Sequence, residues 1–348
     1  SSFDYLGLSS DLNVIKAAQL AVERYGTSVS ASRIVSGETP LHKELEDTIT
    51  RWLGTEDSMV FGHGHATNVY AISSIVGPND LIVHDKYMHN SALMGSKLSG
   101  ATTVSFSHNN LQALEEILEQ KRLHYQRVLI LVEGVYSMDG DILADLPKLI
   151  EIKERYKSWL FIDEAHSIGV LGETGRGVGE HFGIDPSRVD IWMGTISKAL
   201  GSSGGYIAGC KSLIAYLKHS SPGFLFSVGA SPANIAAGLA AIQKIQSDNQ
   251  LVSKLQERAQ LFSELAQQKE LNIGTSKGSA VVPIIVGDSD RATRLADAAY
   301  KKGINVFAIG YPAVDFDKAR LRFFVSSLHT EEQIKFTTET IAELVEKL

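Results

Sequence analysis

The sequence predicts an α/β protein, with a large domain built on a mostly parallel seven-stranded sheet and a smaller C-terminal α+β domain. Three observations carry this. Short apolar runs alternate with stretches of helical periodicity through the first two thirds of the chain, as in a sheet built from crossover units. From Ala230 the pattern changes to a long helical stretch followed by a few strands and helices. A chain of 348 residues also exceeds the size at which a single core keeps growing. The expected organisation is an N-terminal segment over 1–40, a large domain over 41–229 and a small domain over 230–348.

Taken in order, strands are predicted over 58–61, 80–83, 102–106, 128–132, 159–162, 191–194 and 206–208, each an apolar run of strand length. Helices are predicted over 41–53, 65–76, 110–124 and 146–157, with Asn110 as N-cap of the third. Beyond Ala230, a helical stretch over 232–265 precedes strands over 280–286 and 320–326 and helices over 290–302 and 331–348.

Bulk properties narrow the function. Hydrophobic content of 44% and charged content of 21% fit a globular protein. The net charge of -7 argues against a general nucleic-acid surface. The single cysteine, Cys210, excludes an internal disulfide framework and a multi-cysteine zinc site, and a reducing cytoplasm is expected. No apolar run approaches bilayer-spanning length. The chain starts at Ser1-Ser2-Phe3 without an initiator Met, so a processed or excised segment of a longer protein is expected.

The most informative residues lie after two strand ends. Asp163-Glu164-Ala165-His166 follows the run Trp159-Leu160-Phe161-Ile162, and Thr195-Ile196-Ser197-Lys198 follows a second such run, with Gly201, Gly204 and Gly205 beside the lysine. Singly, each has an ordinary explanation: a solvated lysine, a turn aspartate, a histidine bonded to a neighbour. Together they supply an amine able to form a Schiff base and a carboxylate able to keep a pyridine nitrogen protonated, as pyridoxal phosphate chemistry requires.

A phosphate end is legible at Phe61-Gly62-His63-Gly64-His65-Ala66-Thr67, a glycine-rich turn opening a helix, where the amides of Gly64 and His65 are expected to hold an anion. Thr67 stands where a dinucleotide fingerprint needs a third small residue, which weakens a nicotinamide reading. His63 and His65 have no carboxylate or cysteine nearby to complete a metal shell, so no metal is expected. His89, after the second strand, and Ser137, after the fourth, are expected to reach the same crevice, because ligands collect outside the carboxyl ends of strands.

In this order, the motifs resemble the α-oxoamine synthases, a branch of the fold-type I pyridoxal 5'-phosphate enzymes. The likeness runs from Tyr5-Leu6-Gly7-Leu8 through Ser32-Arg33, Gly37, His42 to Glu46, Gly134 to Gly140, Phe161 to Gly177 and Gly194 to Gly201, and ends at Ala319-Arg320-Leu321-Arg322 with Ser326 to Thr330. The resemblance implies that Lys198 forms the Schiff base, Asp163 pairs with the pyridine nitrogen, His166 bonds the ring hydroxyl, His89 stacks on the ring and Ser137 lies beside it. It implies phosphate contacts from Gly64, His65 and Thr195, with Ser197 able to add another. Ser227 looks like the residue that reaches the phosphate from a second subunit, so the resemblance implies a homodimer with shared sites, and it implies that Arg322 grips the amino-acid carboxylate.

The implied reaction condenses an amino acid with an acyl thioester, usually with loss of carbon dioxide, to give an α-amino ketone. There are departures. Asp4 replaces the usual asparagine near the substrate, Ser197 stands where many relatives have glycine, and the helical segment that precedes Tyr5 in the family is expected to be missing. The wording around Gly62 and Ser197 looks similar to synthase domains of polyketide or prodiginine-type assembly lines, where a carrier protein replaces coenzyme A as acyl donor. Two rivals remain open: an aminotransferase using the same lysine and aspartate, and a non-catalytic partner subunit, which would lack the lysine.

Overall fold

The structure, a computed structural model, describes residues 2–248 and 250–347. Seven strands form the main sheet: β1 (Asp57–Phe61), β2 (Leu81–Asp85), β3 (Thr102–Phe106), β4 (Val128–Glu133), β5 (Trp159–Asp163), β6 (Ile191–Thr195) and β7 (Gly205–Gly209), in the order β1-β7-β6-β5-β4-β2-β3. β3, β2, β4, β5 and β6 pair in parallel, while β7 runs antiparallel to both β6 and β1. Two reversals restore the direction, so β1, β2, β4, β5 and β6 all end at one edge. Phe61, Asp85, Glu133, Asp163 and Thr195 are their last residues.

The physical basis is visible in β4, whose six residues Val128 to Glu133 are all buried. Val128, Ile130 and Val132 enter one apolar cluster while Leu129 and Leu131 enter another, so alternate side chains feed the two faces of a helix-covered sheet. The helix Gly64–Ile75 connects β1 to β2, and Asn90–Ser99 connects β2 to β3. A second sheet of three antiparallel strands, β8 (Val281–Gly287), β9 (Phe307–Ile309) and β10 (Ala319–Phe324), packs with the helices Gln250–Gln268, Ser289–Lys301 and Glu331–Lys347.

The predicted mostly parallel seven-stranded sheet is what forms. The strands β2, β4, β5 and β6 run one or two residues further than predicted, which places His84, Asp85, Glu133, Asp163 and Thr195 on strands and buries them. The helix predicted over 232–265 is two helices, Pro232–Ser247 and Gln250–Gln268. Asp248 turns the chain there: its carboxylate accepts from Gln250 N at 3.2 Å and pairs with Lys244 Nζ at 3.0 Å. The helix predicted over 110–124 ends at Lys121 and tightens into a turn over Arg122–His124, where Arg122 Nε donates to Tyr156 O at 2.6 Å. The strand predicted over 320–326 ends at Phe324, and residue 348 of the last predicted helix lies outside the described residues. No helix among the described residues is long and apolar enough to cross a membrane.

Candidate active site

At the edge where these strands end lies a cavity of about 280 Å³. Lys198 lines it from the turn after β6, Asp163 from the end of β5, His166 from the turn that follows, and His89 from the N-cap of Asn90–Ser99. Gly64, His65, Ser137, Thr195, Ser197 and Arg322 complete the predicted residues that the fold brings together there. Two others stay out. Ser227 is exposed on the surface. The Asp4 carboxylate turns back onto its own chain, accepting from Leu8 N at 2.9 Å and Ser9 N at 3.1 Å, and lines a neighbouring cavity that shares Arg322.

Asp163 is fixed from two sides. Its Oδ1 accepts from Ala165 N at 2.9 Å and its Oδ2 from Asn68 Nδ2 at 2.7 Å. Asn68 also donates to Ser91 Oγ at 2.8 Å, and Ser91 Oγ meets His89 Nδ1 at 2.7 Å. Because Ser91 N also donates to His89 Nδ1 at 3.2 Å, that nitrogen is an acceptor. Burial, with Lys198, His65 and Arg322 assisting against the pull of Asp163, lowers the His89 pKa, so the ring is neutral and carries its proton on Nε2.

His166 is held in the same manner. Tyr5 Oη lies 2.7 Å from His166 Nδ1. Burial raises the Tyr5 pKa, so the phenol keeps its proton and donates. Burial and the nearby Lys198 and Arg322 hold His166 well below its usual value, which leaves Nε2–H as its free donor.

Lys198 Nζ sits 5.5 Å from the Phe3 ring centroid, and burial brings its pKa down to about 8 against the opposing charges of Asp163 and Glu133. The amine is thus far closer to its nucleophilic form at neutral pH than a surface lysine. Glu133, beside Asp163 in the sheet register, is pushed well above the carboxylate range by burial and by Asp163.

At the other end, the helix Gly64–Ile75 opens with free amides. Glycine at position 64 gives the helix end room, because a Cβ there would come within 2.6 Å of Thr195 Oγ1. Thr195 Oγ1 donates to Gly204 O at 2.9 Å and lies 2.7 Å from Ser197 Oγ, so two hydroxyls border the bare helix end. Arg322 Nη1 donates to Ser137 O at 3.0 Å, and its Nε is buried with no hydrogen-bond partner among the described residues.

This donor set fits pyridoxal 5'-phosphate. A buried anion stands at one end and an anion-binding helix terminus at the other, with an activated amine and two neutral imidazoles between. Asn68 Oδ1 and Glu133 Oε1, both on residues lining the cavity, are buried without a partner among the described residues and leave polar capacity for a ligand. Asn68, Ser91, Glu133 and Tyr5 have no place among the site residues predicted from sequence. Asn68 alone carried a usable signal, one helical turn beyond Gly64 and on the same face.

Fold and site therefore define an enzyme of the pyridoxal-phosphate type. The aminotransferase class I and II family matches residues 1–341. The chain is 36% identical to 8-amino-7-oxononanoate synthase 1 of Bacillus subtilis, covering 100% of this chain and 88% of the relative. It is 39% identical to human serine palmitoyltransferase 3 over 99% of this chain, and spans 65% of that relative's length. A serine palmitoyltransferase variant from S. paucimobilis, solved with a PLP–myriocin aldimine, superposes with a TM-score of 0.95 at 26% identity, covering 100% of this chain and 88% of that one. The chain belongs to the aminotransferase class I and II family, in its α-oxoamine synthase branch.

Proposed function

We propose that this chain condenses an amino acid with an acyl thioester to give an α-amino ketone, with loss of carbon dioxide, using pyridoxal 5'-phosphate. The observation that carries the reading is the buried Lys198 amine, brought down to about 8, in one cavity with Asp163 held by Asn68 and Ala165. Bound pyridoxal 5'-phosphate supplies an electron sink that lets a bond at the amino acid's Cα break. Lys198 Nζ would hold the cofactor through its amine and would serve as the base for the proton on the amino acid's Cα. Asp163 would keep the pyridine nitrogen protonated, and His166 Nε2–H would be a donor for the ring hydroxyl. His89 and Ser137, which line the same cavity, would contact the cofactor ring. The amides of Gly64 and His65, with the hydroxyls of Thr195 and Ser197, hold the phosphate. The Arg322 guanidinium takes the amino-acid carboxylate.

A homodimer belongs to this reading, with Ser227 reaching the phosphate end of a second subunit. Phe226 (86% exposed) and Val228 (56% exposed) flank Ser227, which supports a partner surface there. A cytoplasmic setting belongs to it as well. The test is to incubate the protein and cofactor with single amino acids and an acyl thioester on coenzyme A or, in a second arm, on a carrier protein. Release of thiol and carbon dioxide supports the reading, while keto-acid formation marks a transaminase instead.

A further inference from the structure

Away from the reacting atoms, one imidazole links two loops of the site. His108 Nδ1 lies 2.8 Å from Asp85 Oδ1, and His108 Nε2 lies 2.5 Å from Asp141 Oδ2. A carboxylate only accepts, so both ring nitrogens carry protons and the ring is a cation. The rings of Tyr87 and Tyr136 pack against it at 4.5 Å each. Burial disfavours the charge, but the bonds to Asp141 and Asp85 outweigh it and hold the pKa up at about 10.

The two carboxylates belong to different loops. Asp85 ends β2 and accepts from Tyr87 N at 2.8 Å, fixing the short turn that delivers His89. Asp141 lies on the loop after β4; Tyr136 N donates to Asp141 O at 3.0 Å, and Ser137 is the next residue. Asn109 reinforces the join, donating from N to Asp85 Oδ2 at 2.8 Å and from Nδ2 to Asp141 Oδ2 at 3.1 Å. The same loop is gripped from β10, where Arg320 Nη1 bonds Asp139 Oδ1 at 2.5 Å and Arg322 Nη1 bonds Ser137 O at 3.0 Å. A charge-balanced bridge of this kind loses much when its central cation is removed, because two buried carboxylates are left facing each other.

We propose that His108 is a positioning residue for the reaction: by bridging Asp85 and Asp141, it sets the separation of His89 and Ser137 across the cavity. This rests on the condensation reading above. The experiment compares the parent chain with His108→Gln and His108→Ala, both with pyridoxal 5'-phosphate, measuring cofactor Kd by absorbance titration, the bound-cofactor spectrum, kcat and KM for the amino acid, and Tm. The expected result is cofactor binding and kcat reduced roughly tenfold to a hundredfold, the scale of a small misplacement at a reacting site, with KM moving less. His108→Gln should be milder, since its amide still bonds one carboxylate. Should His108→Ala fail to fold, Asp141→Asn breaks the bridge from its other side and should shift the same quantities. Variants that lose Tm but match the parent within twofold in Kd, spectrum and kcat overturn the inference alone. A parent that neither binds the cofactor nor turns over overturns the condensation reading and this inference with it.

Discussion

Asn68 Nδ2 donates to Asp163 Oδ2 at 2.7 Å, joining the helix after β1 to the end of β5. Through Ser91 the same amide reaches His89, so the residue proposed to hold the pyridine nitrogen and the residue proposed to cover the ring share one hydrogen-bonded chain. Asn68→Ala leaves the Asp163 carboxylate short of a charge-assisted bond worth about 1.5–3 kcal/mol. Pyridoxal 5'-phosphate binding should weaken by roughly tenfold to a hundredfold, read by absorbance titration. Asn68→Asp should be worse, since it sets a second carboxylate against the first.

Lys198 should react as a weak base. Its pKa lies near 8, so the amine is protonated below that pH and neutral above it. Modification of the cofactor-free protein by an amine-directed reagent, followed at the Lys198 peptide by mass spectrometry, should rise through a midpoint near pH 8. A midpoint in the range of exposed lysines would remove the case for an activated amine.

Gly64→Ala should damage the phosphate end without unfolding the protein. The added methyl meets Thr195 Oγ1 at 2.6 Å, at a cavity wall and not in either apolar cluster. Overpacking of this kind costs about 1–3 kcal/mol. Inorganic phosphate should protect the parent against heating more than it protects the variant.

Much of the site was legible because strand ends announce themselves. An apolar run followed by polar or glycine residues marks where a buried strand stops, and Asp163, Thr195 and Gly64 were found by that pattern. Only the placement by one residue was off: Glu133, Asp163 and Thr195 close their strands, held there by burial that a local window cannot see. The helix Leu12–Tyr25 lies outside the predicted elements although Asp11, whose side chain accepts from Asn13 N and Val14 N, gives an N-cap signal. The Asn68–Asp163 and His108–Asp141 contacts were not legible. Each joins side chains distant in sequence that meet only once the sheet order is set, and no local periodicity encodes that order.

Tyr5→Phe removes the donor to His166 Nδ1 and leaves the ring volume almost unchanged. The lost bond is worth about 1 kcal/mol, so Tm should move little. With Nδ1 unsatisfied, the ring no longer has a fixed tautomer, and kcat should fall while KM for the amino acid holds. Steady-state kinetics and the bound-cofactor spectrum check this together.

The most direct measurement is borohydride reduction of the protein after incubation with pyridoxal 5'-phosphate, then digestion and peptide mass mapping. A single pyridoxyl adduct on Lys198, absent from a Lys198→Ala chain, is the predicted result. An unmodified Lys198, or an adduct on another lysine with Lys198 intact, would contradict the assignment on which the proposed chemistry rests.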